Sequence, residues 1–595
     1  MTIINTQIKG GGTTPTGTLG INTNGVHNVA NYEYADVQVP SAAPAHYIDF
    51  VVTNGVLTAG SNLSNYSDVT SLGSDLSYIY RNNAAVTGTI DFRNLTTLTN
   101  NAFYYAFANS GLTGANFSSL TATTSQDGSA FMYAFQGCTN LTSIDFSNLE
   151  TVDGYGVFNN AFSGCTSLTS IDLGKLKTIS GNNSCASMFY NCSNITTVDL
   201  SSLQTISGST SYMFSSCSSL GSIDLSSLTT ITGSASYMFQ NCTSLTSADF
   251  SSATTIKQCN YMFSGCTNLT DVDLSSIHTI NGTCQRMFSG CSSLTSMDLG
   301  SLYEITGNSY CQYMFENCTS LTSVDLSGLK SIIVTGTSAA NSPVRYMFEG
   351  CTNLQSVDMS GIKIIGGLAA LYEFLKGRAN LTTFNLGSLE EISNSNSCYA
   401  MCYNCPRLTT VDLSKLIMIS GSNGLNDAFD SCSALTTMRF DSLRECSGSQ
   451  ALNRTFWWAG VKDIYFPAMI SDIQFNTQTL LNTNNVNLHF PSNKASVVAA
   501  MTGYPDFGGS NVTILYDLPA TVYLTGANST QYERNPKYDT ATALAWRVKD
   551  TDRPSYSTVD WTPYYTSGTT DPVVGDTIYS DAACTVSVTT IDSIS

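Results

Sequence analysis

The sequence predicts a repeat β-solenoid of about fifteen coils with a small β-rich module at each end. The repeat is 24 to 33 residues long, mostly 25 or 27, and carries an aromatic residue, a cysteine and a leucine at successive steps of three. A final step of two residues predicts a short strand in every coil. Charged residues make up 11% of the chain and hydrophobic residues 42%, which favours short strands and hydroxyl-rich turns over long charged helices.

One unit shows the pattern, with Phe214, Cys217, Leu220 and Ile223 followed by Asp224. The spacing is the L-x-x-L-x-L pattern of leucine-rich repeats, in which Ile223 is predicted to point inward and Asp224 outward. The anchor positions along the chain are Tyr80, Phe107, Phe135, Phe162, Phe189, Phe214, Phe239, Phe263, Phe288, Phe315, Phe348, Phe374, Cys402, Phe429 and Phe456. The cysteines that accompany the central anchors are Cys165, Cys192, Cys217, Cys242, Cys266 and Cys291.

Several local features can be predicted from this pattern. The Tyr-Met-Phe segment is too short for an independent helix, so we predict that it forms one short helical turn. An unusually long repeat predicts that Ser331 to Pro343 bulge as a loop. The unit around Phe374 is predicted to gain a residue and to lack its cysteine, and the aromatic run Phe456 to Trp458 is predicted to close the stack as a cap.

The order Ala161, Phe162, Cys165, Leu168 and Ile171 resembles the BspA-like leucine-rich repeats of bacterial and phage surface proteins. The resemblance covers roughly residues 76 to 468. It implies a role in adhesion and recognition rather than in catalysis.

Both ends of the chain also show a resemblance. Residues 21–39 are similar to a short motif of phage structural proteins, and they include Asn24-Gly25, a hairpin signal. Residues 486–521 are similar to a segment that follows such repeats in tail or fibre-like proteins of phages of gut bacteria, including crAss-like phages. Within that segment, Lys494 to Met501 are predicted to form a short helix. These resemblances imply a virion component.

The sequence is predicted to divide into four parts. These are residues 1–62, which anchor the chain to a virion and support oligomerisation, the solenoid at 63–468, a C-terminal cap at 469–518 and a small β domain at 519–595. Strands are predicted in the β domain at Val522–Leu524, Leu544–Val548 and Thr577–Tyr579. Its aromatic residues Trp546, Trp561, Tyr564 and Tyr565 are interpreted either as core or as a ligand platform.

Catalytic and metal motifs are not evident in the sequence. The four histidines are far apart, and the cysteines recur with the repeat, which predicts reduced, buried thiols and no cofactor. A column of aspartates is predicted on one face: Asp145, Asp172, Asp199, Asp224, Asp249, Asp273, Asp298, Asp325, Asp358 and Asp412. Three interpretations stay open for this column: a structural polar face, occasional calcium binding at Asp224, Asp249, Asp273 and Asp298, or a polysaccharide depolymerase site. A uniform column lacks the asymmetric acid pair that a depolymerase needs.

Charge and hydropathy limit the partners. A net charge of −19 and a pI near 4.4 disfavour nucleic acid and anionic membranes, and no apolar stretch approaches the roughly 20 residues of a membrane-spanning helix. The start of the chain lacks the pattern of a secretory signal.

These observations lead to one functional hypothesis and two alternatives. We hypothesise a structural phage virion protein, a head or tail fibre or decoration protein, that presents a leucine-rich-repeat rod to a host-surface glycan or protein. It is expected to form a homo-oligomer, a trimer rather than a dimer, and to contact other virion proteins through residues 1–62. The alternatives are a BspA-like bacterial surface adhesin and a polysaccharide depolymerase.

Overall fold

The chain folds as a parallel β-solenoid with about 14 turns. The computed structural model describes residues 76–468, except 79, 85, 306–310 and 335–341, together with 478–480, 482–492, 511–518, 576, 580, 584 and the terminal strands given below. It contains two compact units, which are described separately. The first unit comprises Met1–Thr322 and Met347–Thr352, and the second comprises Ser323–Tyr346 and Asn353–Ser595.

One short strand per coil, here called the Asp strand, pairs in parallel with the same strand of the next coil. Asp224 lies opposite Asp249, and Ile223 opposite Ala248, so equivalent residues stack. Ile223 is buried between exposed Ser222 and Asp224, as predicted. In the first unit these strands are Thr87–Asp91, Gly111–Asn116, Ser143–Asp145, Ser170–Asp172, Thr197–Asp199, Ser222–Asp224, Ser247–Asp249, Asp271–Asp273 and Ser296–Asp298. In the second unit they are Ser323–Asp325, Ser356–Asp358, Thr383–Asn385, Thr410–Asp412, Thr437–Arg439, Asp463–Tyr465, Asn487–Pro491 and Thr513–Leu518.

A second set of parallel strands, here called the Thr-Ile strands, follows the Asp strands along the chain. Thr205 pairs with Thr230 and Ile206 with Ile231, and both isoleucines are buried. In the first unit the set is Thr151–Val152, Thr178–Ile179, Thr205–Ile206, Thr230–Ser234, Thr255–Gln258, Thr279–Thr283 and Glu304–Ile305. In the second unit it is Ser331–Val334, Ile364–Gly367, Glu391–Ser393, Met418–Ile419 and Glu445–Cys446.

The prediction of a loop that begins at Ser331 is wrong for its first four residues. Ser331–Val334 is a Thr-Ile strand that pairs with Ile364–Gly367, and Ile332 is buried. The apolar character of this segment therefore places it in the sheet. Residues 335–341 of the predicted loop lie outside the described residues.

The third side of each coil is a stack of turns, and the helical turn predicted there is wrong. Among the described residues no helix is present, so none of them could cross a membrane as a helix. Alternate amides bond to different partners: Tyr212 and Phe214 donate to the next coil, while Met213 donates to Thr210 in its own coil. An amide that bonds to the next coil cannot close a helix. The turn instead uses residues with positive φ, at Tyr212 (60°) and Ser216 (63°).

From Tyr80 to Phe348 the anchor rings form a continuous buried stack. Phe214 lies 5.4 Å from Phe189 and 5.7 Å from Phe239, measured between ring centroids, with nearly parallel planes. Phe162, Phe189, Phe214, Phe239, Phe263 and Phe288 are all fully buried. Parallel offset rings fill the core and add to the stabilisation that their buried area gives.

The anchor predicted at Phe374 is also wrong, because the equivalent position is Leu375. Leu375 donates its amide to Met401 and accepts the thiol hydrogen bond from Cys405, as a phenylalanine does in other coils. Leu375 is 27 residues from both Phe348 and Cys402, so the unit has no extra residue. The predicted absence of a cysteine is confirmed, since Arg378 occupies that position.

The cysteines of the coils are reduced and buried, as predicted. The Sγ of Cys217 donates to the carbonyl oxygen of Phe189 one coil earlier, at 3.2 Å, and Cys192 donates in the same way to Phe162 at 3.0 Å. Each thiol therefore adds a hydrogen bond between coils. Burial raises the pKa of Cys192 to about 12, so the thiol stays neutral.

The predicted closure of the stack at Phe456 to Trp458 is wrong, because further parallel strands follow. Asp463–Tyr465 pairs with Asn487–Pro491, which pairs with Thr513–Leu518. Phe456 is buried, but 60% of the surface of Trp458 is exposed. An exposed ring does not cover the end of an apolar core.

The two ends of the chain form antiparallel sheets. The C-terminal strands close into a barrel, and the three predicted strands are confirmed within one residue at their starts. The barrel strands are Tyr523–Gly526, Gln531–Arg534, Ala543–Val548, Tyr564–Ser567, Thr577–Tyr579 and Ser587–Ile594. The N-terminal strands are Ile8–Gly10, Gly25–Val29, Tyr32–Tyr34, Val37–Gln38, Ile48–Thr53 and Val56–Ala59. The helix predicted at Lys494–Met501 and the first arm of the hairpin at Asn24 lie outside the described residues.

We expect Cys217→Ala to lower the free energy of unfolding by about 1–2 kcal/mol, because it removes the hydrogen bond to Phe189 and opens a small cavity. Urea unfolding monitored by circular dichroism measures the change. Ser222→Ala, at an exposed side chain in the same coil, is the control and should leave stability nearly unchanged. Equal stability of Cys217→Ala and the native protein would contradict a structural role for the thiol column.

Candidate recognition surfaces

The aspartate column is tied to the backbone of the turn that follows each strand. The Oδ1 of Asp224 accepts a hydrogen bond from the backbone amide of Ser226 at 2.9 Å. The Oδ1 of Asp249 accepts one from the backbone amide of Ser251 at 2.8 Å. Hydrogen bonds from the side chain of Ser226, and next from its backbone amide, lower the pKa of Asp224, since they favour the ionised carboxylate. Asp273 and Asp298 bind Ser275 and Gly300 in the same way. In the coils that carry an aspartate here, the column therefore has a structural role, as a side-chain cap of the turn.

Calcium binding at Asp224, Asp249, Asp273 and Asp298 stays a prediction. One oxygen of each carboxylate already accepts a backbone amide, and a calcium ion prefers six to eight oxygen ligands. Within the described residues, no group of three or more His, Cys, Asp or Glu side chains is arranged to hold a metal ion.

The column changes character in the second unit. Arg439, Tyr465 and His489 share one register position on three consecutive Asp strands. The ring of Tyr465 stacks on His489 at 4.1 Å, and the guanidinium of Arg439 lies 4.5 Å from the Tyr465 ring. Two stacked rings and a guanidinium, which pairs with Asp441 at 2.8 Å, therefore take the place of the aspartates in this part of the column.

His489 lies between two carboxylates. Its Nδ1 is 2.8 Å from Asp517 and its Nε2 is 3.2 Å from Asp463. Because ionised carboxylates only accept, both bonds form together when both ring nitrogens carry hydrogen. His489 is 7% exposed, so it links three strands and offers little surface to a ligand.

A ladder of tyrosines runs along the turn stack of the first unit. Tyr212, Tyr237 and Tyr261 stack at 4.4 and 4.8 Å, and Arg286 continues the column with its guanidinium 4.3 Å from the ring of Tyr313. Partial burial and the neighbouring phenols raise the pKa of Tyr237, so the ring stays neutral. Tyr237 has a tyrosine ring against each of its faces. Stacking within the chain therefore leaves it no open aromatic face for a ligand.

The turn stack of the second unit also contains tyrosines and an arginine, together with a carboxylate that pairs with the arginine. Arg345 binds Glu373 at 2.8 Å and lies 4.5 and 4.6 Å from the rings of Tyr346 and Tyr372. Tyr372 in turn stacks on Tyr399 at 4.9 Å. These contacts stabilise the turns in one arrangement.

Two buried carboxylates, Asp427 and Asp430, share one arginine, Arg454, further along the turn stack of the second unit. Arg454 lies 2.9 Å from Asp427 and 3.8 Å from Asp430, and its guanidinium is 3.5 Å from the centre of the Trp457 ring. Burial raises the pKa of Asp430 to about 6, and Asp427 adds to the shift. The side chains of Asp427 and Asp430 are 9% and 3% exposed, and Arg454 lies against both of them.

The predicted aromatic ligand platform of the C-terminal barrel is described only in part. Tyr565 is 8% exposed, which is typical of a core residue. Trp546 and Tyr564 lie opposite each other on neighbouring strands, but their side chains are outside the described residues, as is Trp561. For these three residues the platform stays a prediction.

The sequence analysis missed the tyrosine ladder and the exposed Trp458. A signal for the ladder was present, since a tyrosine recurs two residues before the anchor at Tyr105, Tyr133, Tyr212 and Tyr237. For Trp458 the signal was its place two residues after Phe456, where the preceding coils carry small residues.

Comparison with known proteins identifies the repeats. The family profile described as "BspA type Leucine rich repeat region" matches in six copies, within 77–160, 131–259, 234–342, 287–406 and 345–487. Among solved structures, a leucine-rich repeat protein from Bacteroides ovatus is 14% identical over 83% of this chain and 100% of that one, with a TM-score of 0.39. The T. pallidum leucine-rich repeat protein is 26% identical over 31% of this chain and 78% of its own, with a TM-score of 0.24. The pneumococcal vaccine antigen PcpA is 14% identical over 83% and 99%, with a TM-score of 0.25. No curated protein matches the chain.

We expect Asp224→Ala to destabilise the protein by about 1 kcal/mol, because the amide of Ser226 loses its acceptor. Asp224→Asn should be close to neutral, since Asn116 and Asn385 make the same bond in their own coils. Since the pKa of Asp224 is lowered, its contribution is present above the unfolded-state pKa and is lost as the pH falls through the folded-state value. Urea unfolding at pH 7 tests both variants, with exposed Asp271→Ala as the control. A loss as large in the asparagine variant as in the alanine variant would refute the capping role.

We expect Asp430→Asn to stabilise the protein above pH 6 by about 1 kcal/mol. A carboxyl group with a raised folded-state pKa contributes stability below its unfolded-state pKa, and this contribution is lost as the pH rises through about 6. The neutral amide avoids that loss. Melting temperatures at pH 4.5 and 7.5 measure the difference, which should be small at the lower pH. A stabilisation that is equal at both pH values would show that charge burial is not its cause.

Proposed function

Because the chain belongs to the BspA-type leucine-rich repeat family, we propose that it is a non-enzymatic recognition protein whose repeats bind a host surface. One observation carries the proposal. Thiols and carboxylates, the groups with catalytic potential, make structural hydrogen bonds, whereas the first residues of the Asp strands, such as Ser170, Thr197 and Ser222, are exposed. Rows of unactivated hydroxyl groups suit binding by hydrogen bonds and lack the adjacent base that a nucleophile needs.

The proposal extends to a place in a phage virion, as a head or tail fibre or decoration protein. It is supported by the resemblance of residues 21–39 to a motif of phage structural proteins and of residues 486–521 to a segment of fibre-like proteins. In this role residues 1–62 bind other virion proteins. The chain assembles as a homotrimer in the host cytoplasm and then remains in the virion. A trimer multiplies weak surface contacts without additional sequence.

The buried carboxylate pair does not favour a depolymerase. Asp427 and Asp430 have different surroundings, as an acid pair requires, but their side chains are 9% and 3% exposed. Arg454 lies against both of them. A glycosidic bond would therefore have no direct access to either carboxylate.

We expect the chain to co-purify with washed, genome-containing particles, and deletion of residues 1–62 to remove it from them. Mass spectrometry of the particles checks both points. Light scattering should give a mass about three times the 63.6 kDa of one chain. Recovery from the envelope of uninfected bacteria would instead indicate a surface adhesin. Release of reducing ends from host capsule would overturn the non-enzymatic proposal.

A further inference from the structure

The second residue after each anchor adopts a left-handed conformation, and one occupant of this position is exceptional. In the described coils from Phe189 onward, the position carries a small residue until the last. The occupants are Asn191, Ser216, Asn241, Gly265, Gly290, Asn317, Gly350, Gly377, Asn404, Ser431 and, after Phe456, Trp458. Glycine and asparagine tolerate positive φ, whereas a bulky aromatic residue disfavours it.

Packing of the Trp458 side chain does little to offset the cost of this backbone conformation. Its φ is 56°, and 60% of its surface is exposed, whereas Phe456 in the same turn is 1% exposed. A strained residue that buries little surface does not stabilise the fold. Its presence points to a contact outside the chain.

The indole ring is nevertheless held in place. When the side-chain amide of Asn482 is oriented to satisfy its hydrogen bonds, its Oδ1 accepts two of them. The Nε1–H of Trp457 donates at 2.8 Å and the Nε1–H of Trp458 at 3.2 Å. Arg454, which pairs with Asp427, packs over Trp457. The N–H group of Trp458 is therefore satisfied, and what it presents to solvent is a fixed apolar surface.

We propose that Trp458 is the stacking platform of a glycan-binding subsite that takes one ring of a neutral host-surface saccharide. The inference rests on the proposed role in host recognition and names its ligand class. The C–H face of a pyranose is flat and apolar and packs on an indole, while its hydroxyl groups need polar partners at the rim. Exposed Asn482, Asn484 and Asn485 lie in one short segment beside the ring and carry both donors and acceptors.

The surroundings of Trp458 favour a sugar over a protein partner. A protein hot spot is surrounded by further contacts that exclude water. In the described part of the second unit, the exposed large apolar side chains are Trp458 and Tyr516. One isolated aromatic ring among short polar side chains matches the size of a sugar ring.

Local charge favours a neutral sugar over an acidic one. Arg454 lies against Trp457 and is shared between Asp427 and Asp430, and the ammonium group of Lys462 donates to the carbonyl oxygen of Asn484 in the polar segment. With both carboxylates ionised, these four charges sum to about zero, so no excess positive charge attracts a uronate or sialate.

The test is a titration of the full-length protein with neutral oligosaccharides, namely hexose and N-acetylhexosamine oligomers, followed by calorimetry. We expect at least one of them to bind the native protein and Trp458→Ala to weaken it about ten-fold or more. Tyr516→Ala, at the other exposed large aromatic residue in the described part of the second unit, is the matched control and should bind normally. Trp458→Asn should lose binding to the same extent but melt at a higher temperature, because asparagine tolerates the left-handed conformation. This variant separates lost binding from misfolding.

Three results would overturn the subsite: no binding of any neutral oligosaccharide, equal affinity of Trp458→Ala and the native protein, or stronger binding of uronic acid oligomers than of neutral ones. Loss of host-cell attachment in Trp458→Ala without competition by free saccharide would identify a protein partner and would also overturn it. Saccharide binding through Trp458 without attachment of the native protein to host cells would support the subsite and refute the proposed host recognition. Failure of the inference and failure of the proposed function are thereby distinguished.

Discussion

The structure depends on the register between coils. Each coil must present its backbone amides and carbonyls to the next one at the same level, and this requirement places identical residues in columns. In the turn stack, Tyr212 and Phe214 use their amides for the next coil, so the chain cannot continue as a helix and takes positive φ instead. The ring stack, the thiol column and the tyrosine ladder all follow from this register.

Columns also explain why the recurring thiols and carboxylates make structural hydrogen bonds. A thiol or carboxylate that recurs in each coil meets the same partners each time, and these partners are backbone groups: Phe189 for Cys217 and Ser226 for Asp224. Catalysis needs neighbouring groups with different surroundings. Distinct chemistry therefore appears where a column breaks, as at Arg439 and His489 in the aspartate column.

The period of the sequence was sufficient to predict the fold, the buried anchors, the aspartate face and the reduced thiols, because each depends on spacing alone. The helical turn was predicted wrongly, since residue type at Tyr212 to Phe214 does not reveal which amides bond to the next coil. The aromatic pattern predicts an anchor at Phe374, but the backbone register selects Leu375. The ion pairs of Arg454 with Asp427 and Asp430 join different turns, so no local sequence motif predicts them.

The same reasoning separates structural aromatic residues from candidates for binding. In the tyrosine ladder, Tyr237 has Tyr212 and Tyr261 on its two faces, so stacking within the chain accounts for it. Trp458 stands in a column of small residues and leaves 60% of its surface in solvent. Stacking between coils favours the same type of residue at every position of a column. It does not account for a residue that differs from its column and adopts an unfavourable backbone conformation. An external ligand supplies the missing contact, and the break in the column marks where it binds.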